Sequence, residues 1–217
     1  MATYNYIQLV NDVLIRLREP EVTSVQENGY SKLIGKFVND AKKQVEDAWN
    51  WDALSQTLTL TMTPGTTTYV LTGSGLRHKQ TTVNNTTNRA PVANVPIQWI
   101  LDQQQLSNVG TGQPTYYAWN GTNGTDSKVE IWPTPDAATV LKFNLYVTQA
   151  DLSADGDVIL VPSDPVCLGA YARALVERGE DGGLSSSEAY GLYKGSIADK
   201  IAIESSRFIE NECWIAA

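Results

Sequence analysis

Apolar and polar positions along the chain change period twice. From Tyr4 to Arg18, Ile7, Val10, Leu14 and Leu17 recur at helical spacing, which predicts an amphipathic helix capped by Thr3 and ended by Pro20. A second helix is expected over Ser31–Trp49. Its buried face is Leu33, Ile34, Phe37, Val38, Ala41, Val45 and Ala48; Lys42, Lys43, Glu46 and Asp47 are assigned to the solvated face. After Trp51 the period falls to two. Leu54, Leu58, Leu60 and Met62 alternate with Ser55, Thr57, Thr59 and Thr61, as in a half-buried strand. Further strands are predicted at Tyr69–Leu71, Arg77–Asn85, Pro114–Asn120, Val129–Trp132 and Val140–Val147, about six in all, with Gly121-Thr122-Asn123-Gly124 as a hairpin signal. Pro96–Gln105 reads as a short helix inside this region, with Ile97, Ile100 and Leu101 on one side.

Helical spacing then returns. Asp164 is the expected N-cap and Pro165 the first residue of a helix that runs to Arg178 and stops at Gly179. Ser185-Ser186-Ser187-Glu188 reads as a capping box opening a last, longest helix with the stripe Tyr190, Tyr193, Ile197, Ile201 and Phe208. The pattern predicts an α+β fold: a helical bundle from the N- and C-terminal segments, with an inserted antiparallel β-sandwich or barrel-like domain. The expected division is 1–52, 53–148 and 149–217.

Composition reinforces that division. Of 21 threonines, 18 fall between Thr57 and Thr139, and threonine suits a pleated, half-buried surface. Of the net charge of −8, residues 1–52 carry −2, residues 53–148 carry +1 and residues 149–217 carry −7. An acidic chain repels phosphates, which speaks against an exposed nucleic-acid groove. No stretch approaches the ~18 apolar residues of a membrane helix, and the first residues lack the basic and apolar regions of a signal peptide. The expectation is a soluble protein with no membrane contact, made in a reducing cytoplasm.

Candidate chemistry is sparse. His78 is the only histidine, so no histidine cluster can hold a metal, and a surface or contact role is the simpler reading. Cys167 and Cys213 are too distant for a C-x-x-C site, and packing explains them. Asp151, Asp155, Gly156 and Asp157 lack the order of a calcium loop and read as an acidic turn. Neither a P-loop nor a G-x-S-x-G elbow is present. Sequons at Asn84, Asn85, Asn120 and Asn123 reflect Asn/Thr-rich turns rather than glycosylation. No enzyme, cofactor or metal is expected. The feature that resists a plain reading is the apolar C-terminal end, Phe208-Ile209-Glu210-Asn211-Glu212-Cys213-Trp214-Ile215-Ala216-Ala217, which suggests docking on the chain's own body or on another subunit.

Several ordered stretches resemble one family. They are Trp49-Asn50-Trp51 leading into Leu58-Thr59-Leu60, Pro64-Gly65-Thr66-Thr67-Thr68-Tyr69-Val70-Leu71, Pro114-Thr115-Tyr116-Tyr117, Val129-Glu130-Ile131-Trp132-Pro133-Thr134-Pro135, Leu141-Lys142-Phe143-Asn144-Leu145-Tyr146, and Val161-Pro162 before a helix. Together they resemble the head-to-tail adaptors of tailed phages, the tail tubular protein A of short-tailed ones. Residues 77–105 depart most from that pattern. The resemblance implies a structural virion protein at the head–tail junction, made in the host cytoplasm. It would form a ring of twelve copies beneath the portal protein, prolong the DNA channel without binding DNA specifically, and offer a platform to the tail tube or nozzle protein.

Within that reading, Phe208, Ile209, Trp214 and Ile215 are the candidates for portal contact. Thr86, Asn88, Arg89, Asn120, Asn123 and Asp126 are candidates for contact with neighbours or the tail, and Glu188, Asp199 and Glu204 for acid lining the lumen. The rival is a carbohydrate-binding or glycan-cleaving virion module, resting on Tyr116, Tyr117, Trp119 and Trp132. Of the β-region acids Asp102, Asp126, Glu130 and Asp136, none nominates a catalytic pair by spacing. A head-completion or tail-terminator protein is the third reading.

Overall fold

The computed structural model describes residues 4–106, 109–179 and 184–207. In chain order the elements are α1 (Tyr6–Arg16), α2 (Gly29–Ala48), a single 3-10 turn (Asp52–Leu54), β1 (Ser55–Thr61), β2 (Thr68–Val70), β3 (His78–Asn85), β4 (Ala90–Pro91), β5 (Ala93–Asn94), α3 (Ile97–Gln104), β6 (Thr111–Gly112), β7 (Tyr116–Thr122), β8 (Ser127–Trp132), β9 (Thr134–Pro135), β10 (Val140–Val147), α4 (Ser163–Arg178) and α5 (Leu184–Ser205). They form two compact units: Met1–Ala53 with Gln149–Ala217, and Leu54–Thr148.

In the first unit α4 packs against α1, α2 and α5. The cap of α1 is Asn5, not the expected Thr3, which lies outside the described residues. The Asn5 side chain accepts from the Gln8 N–H, and the Gln8 side chain accepts from the Asn5 N–H, both at 3.0 Å. Asn28 and Ser31 close α2 in the same way. Two glycines permit close approach. A Cβ on Gly35 would run into the Tyr6 hydroxyl, and one on Gly169 would stand 2.9 Å from the Tyr193 ring and 3.1 Å from Ala41. With Ala170, Ala172 and Ala174 also buried on α4, the helix surface is thin enough for its neighbours to sit close.

Other helix expectations change as well, and Ala48, expected on the buried face of the second helix, is exposed. Lys42 and Glu46 are 0% and 1% exposed rather than solvated. They pair at 3.0 Å, and the Lys42 ammonium also donates to the Gln149 carbonyl at 2.7 Å. Helix α4 starts two residues early, after Pro162, so Asp164 is not its cap; its carboxylate pairs with Lys200 on α5 instead. Helix α5 already includes Ser185 as its second residue, and its buried line is Ser186, Ala189 and Tyr193, with Tyr190 45% exposed.

The second unit is a sandwich. One sheet has the order β1-β10-β3-β4, the other β2-β8-β7-β5, and β6 and β9 form a small third pair. Leu60, Met62, Val83, Leu141, Phe143 and Leu145 from the first sheet meet Tyr117, Val129 and Ile131 from the second in one core. The alternate residues Ala118 and Trp132 point to the other face of the second sheet, where α3 covers them with Ile100. Among the described residues, the six strands of three or more residues match the six expected. The four two-residue strands are additional, and β5–β7 and β6–β9 pair in parallel, so the sheets are not purely antiparallel and no barrel closes.

Candidate functional site

The acids of the chain are mostly engaged in structure. The Asp157 carboxylate accepts from the Ser153 and Ala154 N–H groups at 2.7 and 2.8 Å, and these bonds hold it below the usual carboxylate range. Asp155 accepts from the Val25 N–H at 2.9 Å. The expected acidic turn is thus one in which Asp155 and Asp157 cap backbone N–H groups while Asp151 pairs with Lys43, and among the described residues no group of three His, Cys, Asp or Glu could hold a metal ion. The thiol of Cys167 is buried, and that burial pushes it up to about 12, a packing residue rather than a nucleophile.

Glu130 is the residue the sequence does not single out. It is 4% exposed and, among the described residues, faces no cation at hydrogen-bond distance; instead Thr68 Oγ1 donates at 2.7 Å, Gln104 Nε2 at 2.9 Å and Asn120 Nδ2 at 3.4 Å. Burial alone would raise its pKa, but these bonds and one from Thr67 outweigh it and leave it below the ordinary value of 4.5. A depressed folded pKa means that its stabilisation is complete above about 4.5 and is lost as pH falls through the lower folded value. The wild-type melting temperature is therefore expected to fall more steeply as pH drops below about 4.5 than that of Glu130→Gln, measured by thermal melts of both proteins.

The aromatic residues proposed for glycan stacking are largely used in packing. Tyr117 is in the sandwich core with its ring 5.4 Å from Phe143, Trp132 lies under α3, and Tyr116 stacks on Trp99 at 4.9 Å. Trp119 is half-buried against His78 at 4.5 Å and donates to Gln80 Oε1 at 2.9 Å. Burial lowers the His78 pKa, although hydrogen bonds at Gly75 and Ser74 oppose the shift.

What remains is surface. Thr86, Asn88 and Arg89 form an exposed tip between β3 and β4, with Arg89 at a φ of 56°. Asn120 and Asn123 are exposed in the β7–β8 hairpin, where Asn123 Oδ1 accepts from the Thr125 and Asp126 N–H groups at 3.0 and 2.8 Å. Asp126 differs from them: it is 9% exposed, and its carboxylate accepts from the Gly73 and Gly75 N–H groups, both at 3.0 Å. On α5, Glu188 and Asp199 are exposed, whereas Glu204 is half-buried and accepts from the Asp52 N–H at 2.9 Å. Phe208, Ile209, Trp214 and Ile215 lie outside the described residues.

A family model for the SU10 adaptor protein matches residues 4–209. The chain belongs to the SU10 adaptor family. That membership agrees with the head-to-tail adaptor resemblance of the sequence and makes this a structural phage protein, a virion component that assembles with other head and tail proteins. No curated protein matches the chain. No helix among the described residues is long and apolar enough to cross a membrane. For an adaptor the relevant features are exposed faces, and among the described residues the tips at Thr86–Arg89 and Asn120–Asn123, Glu188 and Asp199 on α5, and most of strand β1 are exposed.

Proposed function

We propose that this SU10-family adaptor forms a ring, twelve copies in number, that docks on the portal, prolongs the DNA channel and receives the tail or nozzle. The observation that carries the reading is the family match over residues 4–209. The tips at Thr86–Arg89 and Asn120–Asn123 face a neighbouring copy or the tail, and their neutral Asn and Thr side chains suit contacts that must be desolvated. The purified protein is expected to sediment with portal-bearing heads that lack it; a protein left wholly in the supernatant contradicts the reading.

The lumen follows from charge. At −8 per copy, twelve copies carry −96. Glu188 and Asp199 line the passage in this proposal, so DNA is repelled from the wall rather than held, whereas Glu204 is half-buried and taken up by the Asp52 N–H. The double variant Glu188→Lys/Asp199→Lys is expected to bind short duplex DNA at least about tenfold more tightly at low salt than the wild type, with the gain vanishing at high salt. Fluorescence anisotropy measures it, and an unchanged affinity places these acids away from DNA.

A further inference from the structure

Sheet edges expose unpaired backbone groups, and proteins usually blunt them with proline, charge, a bulge or shortness. Three of the four edges of the two main sheets follow that rule: β4 has two residues including Pro91, β5 has two and β2 has three. The fourth does not. Strand β1 has seven residues, all seven in regular register with β10. It carries no proline, and no charged residue stands between Asp52 and Arg77. Five of its seven residues are exposed.

The backbone direction of each residue follows from one bond. The Met62 N–H donates to the Thr139 carbonyl at 2.8 Å. Alternation along an antiparallel strand then turns Leu60, Leu58 and Gln56 toward β10, and Ser55, Thr57, Thr59 and Thr61 toward the open side. Those four residues present a regular row of donors and acceptors, one pair roughly every 7 Å. Among the described residues none of these backbone groups has a partner outside the sheet.

We propose that β1 is a strand-addition site, and that its occupant is an extended, uncharged arm of the tail protein that docks on the adaptor. The proposal rests on the adaptor reading. A ring joins its copies head to tail, so a second copy would have to supply a complementary strand from a different part of the same chain. Among the described residues the other free edges offer only two or three residues, too few to match seven, and the apolar C-terminal end is already the candidate for portal contact, which points to a different protein. The chemistry of the arm is set by β1: apolar side chains on the face of Leu58 and Leu60, and small or β-branched polar ones on the face of Thr57, Thr59 and Thr61.

Proline at an outward-facing edge position leaves the sheet intact but removes one donor. Thr57→Pro and Thr59→Pro are expected to fold and to attach to portal-bearing heads, yet to recruit the purified nozzle protein of the same phage at least about tenfold less well. Thr59→Val keeps the N–H and should recruit it normally; Thr59→Lys serves if the proline variants do not fold, and should also fail. In whole virions, the amides of Ser55, Thr57, Thr59 and Thr61 should exchange at least about tenfold more slowly than in the free protein, while those of Gln56, Leu58 and Leu60 are already bonded to β10. Normal recruitment by the proline and lysine variants overturns the proposal. So does loss of ring formation in the proline variants, which would make a second copy the donor, or unchanged exchange in virions. If the wild-type protein itself fails to attach to heads, the adaptor reading is what fails, and exchange in virions still decides β1.

Discussion

Replacing Lys42 with methionine is expected to destabilise the helical unit by about 3–5 kcal/mol. Lys42 and Glu46 stand one turn apart on α2 and are 0% and 1% exposed. Their attraction only offsets the cost of removing both from water, so the pair itself is not a large net gain. Losing one partner is different, because the remaining carboxylate stays in the interior without its cation. The pair also fixes the chain where it re-enters the helical unit: Lys42 donates to the Gln149 carbonyl at 2.7 Å, and the Gln149 N–H donates to Glu46 Oε1 at 3.2 Å. Urea unfolding measures the loss. The double variant Lys42→Met/Glu46→Leu should recover most of it, since no charge is then left buried. A single variant as stable as the wild type contradicts the account of this pair.

Deleting Glu212–Ala217 is expected to leave a folded protein that no longer attaches to portal-bearing heads. The segment contains Trp214 and Ile215, and with Phe208 and Ile209 before it seven of the ten residues 208–217 are apolar. Aromatic anchors in a desolvated contact commonly contribute at least about 2 kcal/mol each, roughly 30-fold in affinity. Trp214→Ala/Ile215→Ala keeps the chain length and should weaken attachment by a comparable or greater factor. Circular dichroism and sedimentation with heads separate folding from attachment; a truncated protein that still attaches removes the tail from the portal contact.

The long elements were legible in the sequence because each exposes one face to a core. The helical stripe of Val10, Leu14 and Leu17 and the alternation of Leu141, Phe143, Leu145 and Val147 both reappear as buried rows. Gly179 ends α4 at a φ of 63°, as a C-terminal glycine should. Strands of two residues carry no period and could not be read, which hid the parallel pairs of β5 and β6. Lys42 was misplaced for a physical reason: a charged residue is nearly always solvated unless its partner is on hand, and here the partner is one turn away with a backbone carbonyl from far along the chain. Glu130 was invisible because its donors come from Thr67, Thr68, Gln104 and Asn120, brought together only by the folded sheet and α3. For the proposed contact residues, the exposure of the tips follows from turn composition, but the burial of Asp126 does not, since its acceptor role depends on the backbone of Gly73 and Gly75.

The central claim is assembly, and one image tests it. Purified protein mixed with purified portal and viewed by negative-stain electron microscopy should show rings stacked coaxially on the portal, with an open channel through both. Portal rings left bare beside separate adaptor particles would contradict the account.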